Sequence, residues 1–129
     1  MNNKEKITNE LKDFCENIEK WFQGNEEKQD ILSTKILSGF SPDFKMINGD
    51  GNTASLAMFA DWLPTVFGKF PDRSVQIEDI EIYCSEHHGI ATYTEIQITE
   101  GKANRRKSSA VFLLNREQAL WLHLIETWI

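Results

Sequence analysis

The hydrophobic period of this chain changes once, near Val75, and that change limits the fold more than any other feature. Before it, apolar residues recur every three or four positions, as on one face of a helix; after it they alternate with polar residues, as on a half-buried strand. The first stripe is Ile7, Leu11, Phe14, Cys15, Ile18, Trp21 and Phe22, which predicts a helix over about Lys4 to Phe22, stopped by Gly24-Asn25. Asn25 is expected to cap a shorter second helix carrying Ile31, Leu32, Ile36 and Leu37, with Gly39 as its stop. Phe40, Phe44 and Met46, interrupted by Ser41-Pro42-Asp43, read as an irregular strand.

The polar run from Asn48 to Asn52 is a strong turn signal. Asn48-Gly49 alone suggests a hairpin, but Leu56, Phe59, Trp62, Leu63, Val66 and Phe67 follow at helical spacing. They predict a third helix to about Lys69, capped by Thr53 and strained at Pro64. Beyond Val75, four strands are expected: one through Ile80, Ile82 and Cys84, then Ile90 to Thr99, Arg105 to Leu114 and Leu120 to Ile129. Turns at Glu86-Gly89, Gly101-Asn104 and Asn115-Glu117 make them an antiparallel meander. With 129 residues, no repeat and no linker, residues 1–129 are expected to form one domain, helices layered on a bent sheet.

Acidic residues outnumber basic ones by 20 to 14, a formal charge of -6, which disfavours general attraction to nucleic acid or to an anionic membrane. Arg105-Arg106-Lys107 is the one compact basic run, and its side chains alternate on a strand instead of forming a patch. No run approaches the roughly 20 apolar residues of a membrane span. The polar opening MNNKEKITNE and only two cysteines, Cys15 and Cys84, lead us to expect a reduced, cytoplasmic protein.

Three phrases carry a family resemblance: Phe40-Ser-Pro-Asp-Phe44-Lys-Met46, the strand Arg105-Arg106-Lys-Ser-Ser-Ala-Val-Phe112, and Trp121-Leu-His123-Leu-Ile-Glu126-Thr-Trp128. With the element order, they make the chain resemble the SnoaL-like or DUF4440-like branch of the nuclear transport factor two-like (NTF2-like) superfamily. The resemblance covers nearly the whole chain. It implies an α+β, cone-shaped cystatin-like roll: three N-terminal helices packed on a strongly curved, mainly antiparallel sheet. It also implies a pocket inside the cone and a homodimer formed through the outer face of the sheet.

Several residues qualify for chemistry. In the last strand Leu120, Leu122, Leu124, Glu126 and Trp128 are expected on one face, and Trp121, His123, Ile125, Thr127 and Ile129 on the other, unless a bulge resets the register. Two apolar faces fit a strand buried on one side by helices and on the other by a second subunit. Glu126 stands in an apolar file, where a carboxylate needs a partner or a polar cavity. Arg105 and Arg106 point opposite ways, so one of them can reach Glu126 or Glu95. His123 is the natural acid or base by its ordinary pKa, with Tyr93, Glu95 or Ser109 as neighbours from other strands.

The candidate catalytic residues are thus Glu126, His123 and Tyr93. The candidate ligand-binding residues are Trp21, Phe44, Met46, Phe59, Trp62, Tyr93, Glu95, Arg105, Glu126 and Trp128, an aromatic-lined pocket for a small apolar or amphipathic molecule. Cys84, Glu86, His87 and His88 crowd too closely for a structural zinc site, and Asp43, Asp50 and Asn52 fall short of a calcium loop, so no metal and no other cofactor is expected. The expected function is small-molecule binding. The alternatives are a cofactor-independent isomerase, dehydratase or hydrolase of a small hydrophobic substrate, and a protein-association domain.

Overall fold

A computed structural model describes residues 2–25 and 27–129. Helix α1 (Asn3–Gln23) begins where the Asn2 side chain accepts a hydrogen bond from the Glu5 amide at 2.8 Å. It ends at Gly24, whose φ of 71° lets the Gly24 and Asn25 amides turn back onto the Trp21 and Lys20 carbonyls. Asn25 therefore closes α1 and does not cap the next helix: α2 (Gln29–Leu37) has Lys28 at its start. The buried stripe of α1 is Ile7, Leu11, Cys15, Ile18, Trp21 and Phe22, and each full burial of an aliphatic or aromatic side chain is worth about 1.5–3 kcal/mol.

Strand β1 (Phe40–Ile47) and the short β2 (Thr53–Ser55) form an antiparallel hairpin over the Asn48-Asn52 turn, so the Asn48-Gly49 signal and the helical spacing after it both hold. Thr53 is consequently a strand residue, and the cap of α3 (Leu56–Val66) is Ser55, whose hydroxyl accepts from the Met58 amide. The helix runs on through Pro64 and stops short of the expected Lys69, because Phe67 takes an extended conformation.

Strands β3 (Ser74–Cys84), β4 (His88–Thr99), β5 (Lys102–Leu114) and β6 (Ala119–Trp128) form the expected antiparallel meander. The sheet is larger than that meander. Its order is β2-β1-β6-β5-β4-β3, with β1 lying parallel to β6. The result is an α+β fold of three helices on a six-stranded, mainly antiparallel sheet. No described helix is long and apolar enough to cross a membrane.

Two bulges set the sheet's inner face. In β3 the register against β4 shifts between Glu78 and Glu81, with Asp79 at a φ of 55°, so the file of buried Val75 and half-buried Ile77 continues as Ile80, Ile82. In β6 Trp121 pairs with Phe112 but His123 pairs with Val111, leaving Leu122 as the extra residue. The expected single file from Leu120 to Trp128 is therefore broken: Ala119 and Trp121 face inward before the bulge, and Leu124, Glu126 and Trp128 after it. The core sits between this face and α1, around Phe112 and Trp121, whose ring centroids are 4.6 Å apart.

Candidate functional site

Because β4, β5 and β6 are in register beyond the bulge, the inward residues form rows across the three strands. Ala91, Ala110 and Leu124 make one row, extended by Met46 of β1. The next row is Tyr93, Ser108 and Glu126; the one after it is Glu95, Arg106 and Trp128. Leu124 and Met46 of this row open onto a space above the sheet, and the next two rows bring ionisable groups to one end of it. The space is a cavity of about 410 Å³, walled by Phe14, Ile18 and Phe22 of α1, Phe40, Phe44 and Met46 of β1, and Met58, Phe59 and Trp62 of α3.

The aromatic wall is continuous. Phe40 packs edge-on against Phe44 at 4.7 Å and tilted against Phe59 at 5.2 Å; Phe59 in turn stacks on Trp62 at 5.8 Å. At the mouth the turn residues Asn48, Gly49 and Asp50 meet Trp128, whose indole N–H donates to Asp50 Oδ1 at 2.9 Å. Gly49 is required there: a Cβ would lie 2.6 Å from the indole nitrogen. The Arg106 guanidinium lies over the same side chain, 4.5 Å from the ring centroid.

Three charged side chains occupy the polar end. Arg106 Nη1 is 3.5 Å from Glu126 Oε1, and Arg106 Nε is 3.7 Å from Glu95 Oε2. Both carboxylates are buried, at 8% and 7% residue exposure. Glu95 also accepts from Gln97 Nε2 at 2.8 Å, and Arg106 Nη2 donates to Asn104 at 2.9 Å. Burial, and then the neighbouring charge of Glu95, push the Glu126 carboxyl up to about 7 against the opposing pull of Arg106. Burial and Glu95 likewise hold the Tyr93 phenol well above its ordinary range, so it stays protonated. The Cys15 thiol beneath them is raised for the same reasons and stays neutral.

Most of the residues singled out from the sequence meet here: Phe44, Met46, Phe59, Trp62, Tyr93, Glu95, Glu126 and Trp128 all line the cavity. Three do not. Trp21 lies in the core instead, where its indole N–H donates to the Leu63 carbonyl at 2.8 Å and ties α3 to α1. Arg105 points out of the opposite face and pairs with Glu78 at 2.7 Å, both side chains half exposed. His123 lies beyond the bulge, paired with Val111 and Lys45 on the outer face, so it does not reach Glu126 or Tyr93.

Arg106 is the residue that sequence reasoning left undecided. Alternation shows that it and Arg105 face opposite ways, and only the pairing of Arg106 with Glu95 and Trp128 shows which one faces inward. His87, His88 and Cys84 are exposed at the β3–β4 turn. Among the described residues no group of three or more His, Cys, Asp or Glu side chains is arranged to hold a metal ion.

No family model matches this sequence, and no curated protein matches it. Solved structures do. An NTF2-like protein of unknown function from Pseudomonas aeruginosa is 21% identical, with 95% of this chain and 98% of that one covered and a TM-score of 0.88. An NTF2-like protein from Cytophaga hutchinsonii is 16% identical over the full length of both chains, with a TM-score of 0.75. A CaMKII hub homology domain from Chlamydomonas reinhardtii is 9% identical over 99% of each chain, with a TM-score of 0.72. The chain therefore has the NTF2-like, cystatin-like fold that its sequence resembles.

Proposed function

We propose that this protein binds a small, largely apolar organic molecule in the cavity, with the molecule's polar end against Glu95, Arg106 and Glu126. The carrying observation is the joining of an aromatic chamber of about 410 Å³ to a single buried charged end. Small-molecule sites combine an apolar wall with a few orienting polar groups in the same way. Native mass spectra under gentle and denaturing conditions test the reading. The expected result is a small molecule lost on denaturation, or one taken up from a panel of apolar aromatics. Protein that carries no adduct and takes up no member of the panel at millimolar concentration sinks it.

A second reading adds chemistry to the same site: a cofactor-independent isomerase, dehydratase or hydrolase in which Glu126 transfers a proton. It is favoured by the Glu126 carboxyl lying at about 7, where both its acid and its base forms are populated. His123 has no part in that reading, since it faces away. Tyr93 supplies a protonated phenol in the same row, beside Ser108, with Glu126 on the strand beyond.

Self-association accompanies either reading. The sheet face turned away from the helices exposes Tyr83, Ile90 and Ile125, with Val111, Leu113 and His123 beside them. An apolar face of this kind is what an isologous dimer buries. The likeness to a hub homology domain is consistent with self-association.

A further inference from the structure

On the sheet face turned away from the helices, five strands lie in register. One row across it is Tyr83, Ile90, Val111, His123 and Lys45, from β3, β4, β5, β6 and β1 in turn. The neighbouring row starts with Glu81 on β3 and ends with Ile125 and Ile47. The β3 side of the face is therefore acidic, and the β1 side ends in a lysine. Glu78 is already matched by Arg105 at 2.7 Å. Glu81 and Lys45, both exposed, have no ion partner among the described residues; Glu81 Oε2 accepts only from the hydroxyl of Tyr83, at 3.2 Å. Between the two sides the surface is apolar, with Ile90 43% and Ile125 42% exposed.

An apolar face of this kind favours being covered, and the placement of charge narrows what covers it. Two sheets pack face to face about 10 Å apart with their strands within about 30° of each other. A two-fold axis can lay a second copy on this face in two ways. An axis across the strands sets β3 over β3 and β1 over β1, so the acidic side meets the acidic side and the lysine side meets itself. An axis along β5, the middle strand of the five, exchanges β4 with β6 and β3 with β1. Val111 then meets its own copy, Ile90 meets the partner's His123, and Glu81 with Tyr83 meets the partner's Lys45, twice per dimer by symmetry. Lys107 also lies on the axis strand, four residues or about 13 Å from Val111 at about 3.3 Å per residue, so the contact is centred away from it, towards the apolar Leu113.

We infer that a second copy of this chain docks on this face about a two-fold axis running along β5, with each Lys45 paired to Glu81 of the partner subunit. The inference rests on the self-association reading above and adds the geometry and the residues that select it. Opposite charges at the sides of an apolar contact fix orientation and exclude wrong arrangements more than they add affinity.

Charge reversals test the pairing. Lys45→Glu alone sets carboxylate against carboxylate twice per dimer, and Glu81→Lys alone sets ammonium against ammonium twice. Each should weaken the dimer at least about tenfold in sedimentation equilibrium. An equimolar mixture of the two variants, one of them labelled with heavy nitrogen, recovers both opposite-charge pairs, so native mass spectra should show the mixed dimer in clear excess over either homodimer. The chain carrying both reversals should dimerise within about threefold of the wild type. Both positions are exposed, and circular dichroism checks that each variant is folded. Single reversals that leave the dimer as tight as the wild type, or a mixture that forms no mixed dimer, overturn the axis and the pairing; loss of the dimer in Ile125→Asp then shows that the face associates in another arrangement. Wild-type protein that sediments only as a 14.9 kDa species at about 100 µM, far above the usual range of specific association, overturns the self-association reading itself.

Discussion

Replacing Glu126 by Gln should change how the stability of the protein depends on pH, and the size of the change follows from the burial of one carboxyl. In the folded chain that group lies at about 7, against 4.5 for the ordinary carboxyl. Between those two values the folded state holds a proton that the unfolded chain has released, so the unfolding free energy falls as pH rises through this window. The stability is fully present below pH 4.5, and its loss is nearly complete about one unit above pH 7. Full ionisation costs about 3 kcal/mol, of which about 2.5 kcal/mol is lost between pH 5 and pH 8.

A glutamine does not titrate, so this slope should vanish in Glu126→Gln. Whatever the substitution does to packing or to Arg106 is a constant offset that drops out of the comparison. Urea unfolding of both proteins at half-unit steps from pH 5 to pH 8 measures it. The wild type should lose about 2.5 kcal/mol more than the variant across that range. Profiles that run parallel within about 0.5 kcal/mol, well below the change expected from linkage, would refute the argument that Glu126 is held near neutrality by burial and by Glu95.

Glu10 behaves alike at the far side of the core: burial raises its carboxyl to about 7 although the Trp121 indole donates to it at 2.9 Å, so Glu10→Gln should remove a comparable slope in the same pH window. At the mouth, Gly49→Ala should push Trp128 off Asp50 and away from Arg106, costing about 1–2 kcal/mol in urea unfolding from one hydrogen bond and one cation–aromatic contact. Arg105→Ala removes a half-exposed ion pair with Glu78 and should change stability by less than about 1 kcal/mol, with uptake of apolar aromatics unaffected. Ile125→Asp, on the exposed face of β6, should shift sedimentation from a dimer towards a 15 kDa species while leaving the circular dichroism of the fold intact.

What could be read from the sequence is what depends on neighbours along the chain. The α1 stripe from Ile7 to Phe22 is fixed by a 3.6-residue repeat, and all of its predicted apolar positions except the half-buried Phe14 are fully buried. Glu126 stood out because a carboxylate in an apolar file needs an explanation, and the cavity supplies one. What could not be read depends on pairing between distant strands. A single extra residue at Leu122 reverses the parity of β6, so Trp121 and Glu126 share a face that strict alternation denies them. The same dependence left Arg105 and Arg106 undecided, since their alternation is local but their orientation comes from β4 and β6. The parallel contact of β1 with β6 joins residues some 80 positions apart, and no local signal marks it.

That contact also bears on how the chain is made. Strand β6 occupies an interior position of the sheet, between β1 and β5, yet it follows every other element in sequence. During synthesis β1, β2 and α3 emerge early and have no sheet to join until the segment from Ala119 to Trp128 has left the ribosome. The β3–β5 meander can pair earlier, but one edge of β5 stays open until β6 arrives, exposing a template for wrong partners. The aromatic residues of β1 and α3, later the walls of the cavity, are without their cover for the same interval. Closure of the cavity is thus expected as the final event of folding, and a nascent chain stalled before Ala119 should depend on chaperones.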